Sequence, residues 1–234
     1  MRARETLRYA PFRHAPIIYG SKQQFANSPD DCPKLDDTGI KRVQAIVGSL
    51  LYYGHAGYNK LLVALSELGF TQAAATKLTK TDLSQLIDYL STYPEDGILY
   101  RSSAMILSAH SDAVYLNVSR ARSRAVAHIM LSENNPVPSL NGPVLTITQI
   151  IKNVMSSAAE AELSGLFIFT KAMVPLQNTL MEMGWPRLPS PVQCDNSTAI
   201  GVINKIMVNK MLKSMDMRFW WICCRYSQDH CRYY

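Results

Sequence analysis

At Gly97 the apolar residues of this chain change period, and that switch limits what each part can fold into. Before it, Ile40, Val43, Ile46, Val47, Leu50 and Leu51 recur at helical spacing, with Gly54 as the expected stop. Leu61, Leu62, Leu65 and Leu68 give a second helix ended by Gly69, and Leu83, Leu86, Ile87 and Leu90 a third, opened by Thr81 or Asp82 and ended before Pro94. After it, residues 98–112, 125–131 and 144–151 read as successive strands, economically arranged as an antiparallel meander. A helix from Ser157, a strand at Val192 and a helix through Ala199, Val202 and Ile203 then alternate, which places the later strand parallel to an earlier one. The expected fold class is therefore α/β (α+β mixed): a mixed sheet with flanking helices, preceded by a small helical subdomain. Residues 1–36 mix Pro11, Pro16, Pro29 and Pro33 with polar stretches and read as an extended arm.

With 234 residues, 47% hydrophobic and 18% charged, the chain has room for a real core. No apolar run approaches the roughly 18 residues of a membrane span, and the N-terminus lacks the apolar core of a secretory signal, so the expected location is intracellular, cytoplasmic or nuclear. The net charge of +6 suits a polyanionic partner. Arg120, Arg122 and Arg124 alternate, which would place all three on one face, for phosphate contact or as a solvated strand edge. Five cysteines at irregular spacing make no disulfide framework. Cys223, Cys224, His230 and Cys231 lack the usual spacing of zinc ligands.

Three carboxylates occupy informative contexts. Asp112 closes the apolar run 104–111 and is expected at a strand end, either as a turn residue or as a ligand. Asp195 closes a second short run, Val192-Gln193-Cys194, where it either caps the next helix or lies where ligands bind in open sheets. Glu162 lies one turn inside the helix announced by Ser156-Ser157; its neighbour Glu160 fits a capping box, which leaves Glu162 without a local duty. Mg²⁺ takes oxygen ligands and is held by one or two carboxylates plus phosphate, and two such ions roughly 4 Å apart clamp a phosphodiester displacement. Without metal, such a cluster raises its own pKa values. His110 and His128 read as sheet residues, and Trp185, Trp220 and Trp221 as packing residues.

The stretches His110-Ser111-Asp112-Ala113-Val114-Tyr115-Leu116, Ser119-Arg120-Ala121-Arg122-Ser123-Arg124-Ala125, Met155-Ser156-Ser157-Ala158-Ala159-Glu160-Ala161-Glu162-Leu163, Cys194-Asp195-Asn196-Ser197-Thr198-Ala199 and Lys213-Ser214-Met215-Asp216-Met217-Arg218-Phe219 resemble, in order and spacing, the ribonuclease H domain of copia-type retrotransposon polyproteins. Residues 37–96 are similar to the helical connection segment that follows reverse transcriptase in those polyproteins. No polymerase site accompanies it, since Asp30-Asp31 and Asp36-Asp37 read as loop and N-cap residues.

The resemblance implies a ribonuclease H-like domain at 97–221, with Asp112, Glu162 and Asp195 as catalytic metal ligands. It also implies Mg²⁺ (or Mn²⁺) as cofactor, an RNA-DNA hybrid as partner and the remainder of a retroelement polyprotein as context. Family domains continue into a further strand and a final helix that brings a fourth carboxylate. After Trp221 this chain departs from that pattern, so 222–234 are expected to be a divergent tail, truncated or frame-shifted, that leaves a sheet edge exposed; Asp229 does not match the fourth acid. Two functional readings result: a metal-dependent hydrolase of the RNA strand of RNA-DNA hybrids, and an inactive, decayed retrotransposon fragment that only binds nucleic acid.

Overall fold

The computed structural model describes residues 8–13, 30–118, 121–186, 188–204 and 216–234. They divide near residue 98 into a helical unit and a sheet unit.

The helical unit is built on α1 (Asp37–Ala56), α2 (Leu62–Thr71) and α3 (Lys77–Thr92). Asp36 caps α1 by accepting from the Gly39 amide at 3.0 Å. Gly54 is not the expected stop: α1 continues to Ala56 with Gly57 as its C-cap, and Gly54 is buried where a Cβ would lie 3.0 Å from Leu62, so it is a packing glycine. Gly69 likewise sits inside α2. The third helix opens a turn earlier than expected, because Thr76 and Thr79 cap each other reciprocally. Val47, Leu61, Leu65 and Leu86 are fully buried at its centre. Of the expected arm, residues 8–13 and 30–36 form no helix or strand; Lys34 makes one bridge to Thr76, and Arg13 reaches Asp82 at 2.5 Å.

The sheet unit contains β1 (Ile106–Val118), β2 (Arg122–Ser132), β3 (Pro143–Ile150), α4 (Ala158–Glu182), β4 (Ser190–Cys194), α5 (Ser197–Ile203), α6 (Asp216–Ser227) and β5 (Cys231–Tyr233). The strand order is β3-β2-β1-β4-β5, antiparallel through the first three and parallel from β1 to β4 and from β4 to β5. This is the expected mixed sheet with flanking helices. Leu163, Leu166, Phe169 and Met173 of α4 share one core with Ala109, Ala125, Ala127 and Ile129 of the sheet. A Cβ on Gly165 would stand 3.5 Å from that of Ala125, so the helix crosses β2 closely where it carries no side chain.

Two expectations are corrected here. β1 begins at Ile106, where pairing to Ser132 starts, and continues to Val118, so Asp112 lies within the strand rather than at its end. The pairing is interrupted between Val114 and Val118, where Leu116 adopts φ 53° and its amide donates to Ser123 Oγ at 3.1 Å. The expected loss of the last strand also fails. Residues 222–227 complete α6, and β5 adds a fifth strand beside β4. Ile222, Cys231 and Tyr233 are buried. Tyr233 shares a 2.9 Å hydroxyl hydrogen bond with Thr170, while Gln177 Nε2 donates to Ser190 Oγ at 2.6 Å and to the His230 carbonyl at 2.7 Å. Among the described residues, no helix is long and apolar enough to cross a membrane.

Candidate active site

The last pair of the parallel ladder between β1 and β4 joins Ser111 to Cys194. Asp112 and Asp195, one residue further along each chain, therefore stand side by side, and both are exposed. Glu162 arrives from the second turn of α4 and is 4% exposed. Its Oε1 accepts the Ala113 amide at 2.9 Å, which fixes the helix carboxylate beside Asp112. Three acids distant in sequence are thus gathered by a strand, a helix and a strand end.

Their charges are felt mutually. Burial pushes the Glu162 carboxyl up to about 7, with Asp112 and Asp195 adding to the rise, while the Ala113 amide and the Cys194 thiol pull the other way. Asp112 is raised by partial desolvation and by Asp195, against the Ala113 amide. The competing local duties fall to other residues. Asn196 caps α5 by accepting from Ala199 at 3.0 Å, which relieves Asp195 of that role. Glu160 accepts the Ser156 amide at 2.8 Å while Ser157 Oγ accepts the Glu160 amide at 3.2 Å, so Glu160 serves the start of the helix.

Cys194 is a member of the site that the sequence reading missed. Its Sγ lies 3.7 Å from Glu162 Oε2, and the ligand atoms of Glu162, Cys194 and Asp195 fall within 4.8 Å of one another. Burial pushes its thiol up to about 12, with Glu162 and Asp195 adding to the rise against the Asn196 amide. The only sequence signal was its place immediately before Asp195, which its inclusion in an irregular cysteine count obscured.

Arg122 and Arg124 alternate along β2. Arg120 lies outside the described residues. Arg122 is partly buried at the start of β2, opposite Val118, but Arg124 is 2% exposed and paired with Val114. His110 and His128 face each other across β1 and β2, and His128 Nε2 lies 2.9 Å from the Asn141 carbonyl, as suits sheet residues. Trp221 packs edge-on against Phe167 at 5.3 Å, whereas Trp220 is 61% exposed and Trp185 41%, so the packing expectation fits Trp221 alone. All five cysteines are free.

No protein-family model matches this chain, and no curated protein does. A solved structure, that of LC11-RNase H1 isolated from compost by a metagenomic approach, is similar at 10% identity, covering 56% of this chain and 83% of that one with a TM-score of 0.42.

Proposed function

We propose that this chain is a retroelement-derived ribonuclease H of the copia type, which hydrolyses the RNA strand of RNA-DNA hybrids with Mg²⁺ or Mn²⁺ held by Asp112, Glu162 and Asp195. The observation that carries the reading is the convergence of these carboxylates where β1 passes the end of β4. The donor set suits a hard divalent cation, since Asp112 and Asp195 are open to solvent and Glu162 is anchored through one oxygen. A cation bound there would polarise the scissile phosphate and activate water. The Ala113 amide orients Glu162, and the neighbouring acids disfavour one another's charge until a cation offsets it. Selection of the hybrid would rest on its shape and 2′-hydroxyls rather than on base sequence, helped by the net charge of +6. The remainder of a polyprotein is the expected partner in an intracellular setting.

Cleavage of a labelled hybrid by the purified chain in Mg²⁺ or Mn²⁺ tests this. Asp112→Asn should abolish cleavage and leave hybrid binding, itself falling steeply with salt, mostly intact. Unchanged cleavage in the variant would remove the site. A folded parent chain that binds hybrid without cutting it would favour the alternative of a decayed, nucleic-acid-binding fragment.

A further inference from the structure

We propose that Cys194 joins Glu162 and Asp195 as a third protein ligand for a thiophilic divalent cation such as Zn²⁺, which therefore competes with Mg²⁺ for the site. The inference rests on the proposed function's site and deepens it by naming a second class of metal. Tetrahedral zinc with a thiolate and a carboxylate oxygen at their usual bond lengths sets the two ligand atoms about 3.6 Å apart. Cys194 Sγ and Glu162 Oε2 stand at 3.7 Å, and Asp195 completes a set within 4.8 Å.

The satisfaction of Glu162 points the same way. This carboxylate is 4% exposed and its Oε1 takes a backbone amide, yet among the described hydrogen bonds Oε2 has only the Cys194 thiol, a weak donor at long range. A nearly buried carboxyl oxygen met so weakly is under-satisfied, and a cation between it and the sulfur would satisfy it. Binding forms a sulfur-metal bond and releases the thiol proton to solvent. Mg²⁺ gains nothing from the sulfur, because it prefers oxygen ligands, so the thiol discriminates between the two classes of ion.

Cd²⁺ is the probe, titrated into the full chain carrying Cys32→Ser and Cys224→Ser to remove the exposed thiols. A saturable sulfur-to-metal charge-transfer absorption is expected. Adding Cys194→Ser should abolish it and weaken Cd²⁺ binding at least about tenfold by calorimetry, with Mn²⁺ affinity falling far less. Cys194→Ala, with far-UV circular dichroism on each variant, separates ligand loss from misfolding. A band that persists without Cys194, a parent with no saturable Cd²⁺ site, or an equal loss of Mn²⁺ and Cd²⁺ would overturn the inference. A Cys194-dependent Cd²⁺ site in a chain that never cleaves hybrid would uphold it while removing the ribonuclease reading. Mg²⁺-dependent cleavage without that site would do the reverse.

Discussion

Ionising Glu162 is opposed by its burial and by the acids beside it, and the opposition has a pH signature. Its folded-state value near 7 lies above that of an unfolded glutamate, so its contribution to stability is complete below about pH 4 and is lost as pH rises through about 7. The full effect is about 3 kcal/mol. Glu162→Gln can keep the Ala113 amide bond while carrying no charge. Without divalent cations, its melting temperature should match the parent's at pH 4 and exceed it at pH 8; parallel curves would show that Glu162 ionises freely in the fold. Ala121 is a second residue-scale case, held at φ 52° where a Cβ is strained. Ala121→Gly should raise the urea midpoint, with a gain of about 1 kcal/mol. At this scale Asp112, Glu162 and Asp195 were legible because each stands out from its local pattern, and Glu160 because a capping box has a fixed spacing. Cys194 and the burial of Arg124 were not, since both depend on what neighbouring strands and α4 bring alongside.

Among the elements, those with a clean apolar period were legible and their ends were not. Gly54 looks like a helix stop in isolation, but the side chains of Leu62 and Leu65 need the space it leaves, and α1 continues past it. The start of α3 was masked because its capping partner, Thr79, is not the Glu or Gln that a capping box usually carries. The end of β1 was placed at Asp112 because the apolar run stops there, whereas pairing to β2 carries the strand on to Val118. β5 was the least visible. Its three residues follow no familiar pattern, and long-range partners in α4 and β4 supply its place: Thr170 for Tyr233, Gln177 for the His230 carbonyl, and the Val192 carbonyl for the Tyr234 amide at 2.9 Å. Tyr233→Phe deletes one hydroxyl and leaves Thr170 without that partner in the core. It should cost about 1–3 kcal/mol in urea unfolding, and a cost near zero would show that β5 contributes little to the sheet.

The whole molecule carries two separate cores, one around Val47, Leu65 and Leu86 and the other between α4 and the sheet, and separate cores unfold together only when strongly coupled. The distribution of chromophores makes this measurable. All three tryptophans, Trp185, Trp220 and Trp221, lie in the sheet unit, so indole fluorescence follows that unit alone, while far-UV circular dichroism also registers α1, α2 and α3. The two probes should give different urea midpoints. A divalent cation that binds the candidate site stabilises only the unit that holds it, by about 2.7 kcal/mol at a hundredfold excess over its Kd. Mg²⁺ or Mn²⁺ should therefore move the fluorescence midpoint to higher urea and leave the helical component of the dichroism in place. Asp112→Asn should abolish most of that shift. Coincident midpoints that move together on adding metal would instead mean that the two cores unfold as one cooperative body.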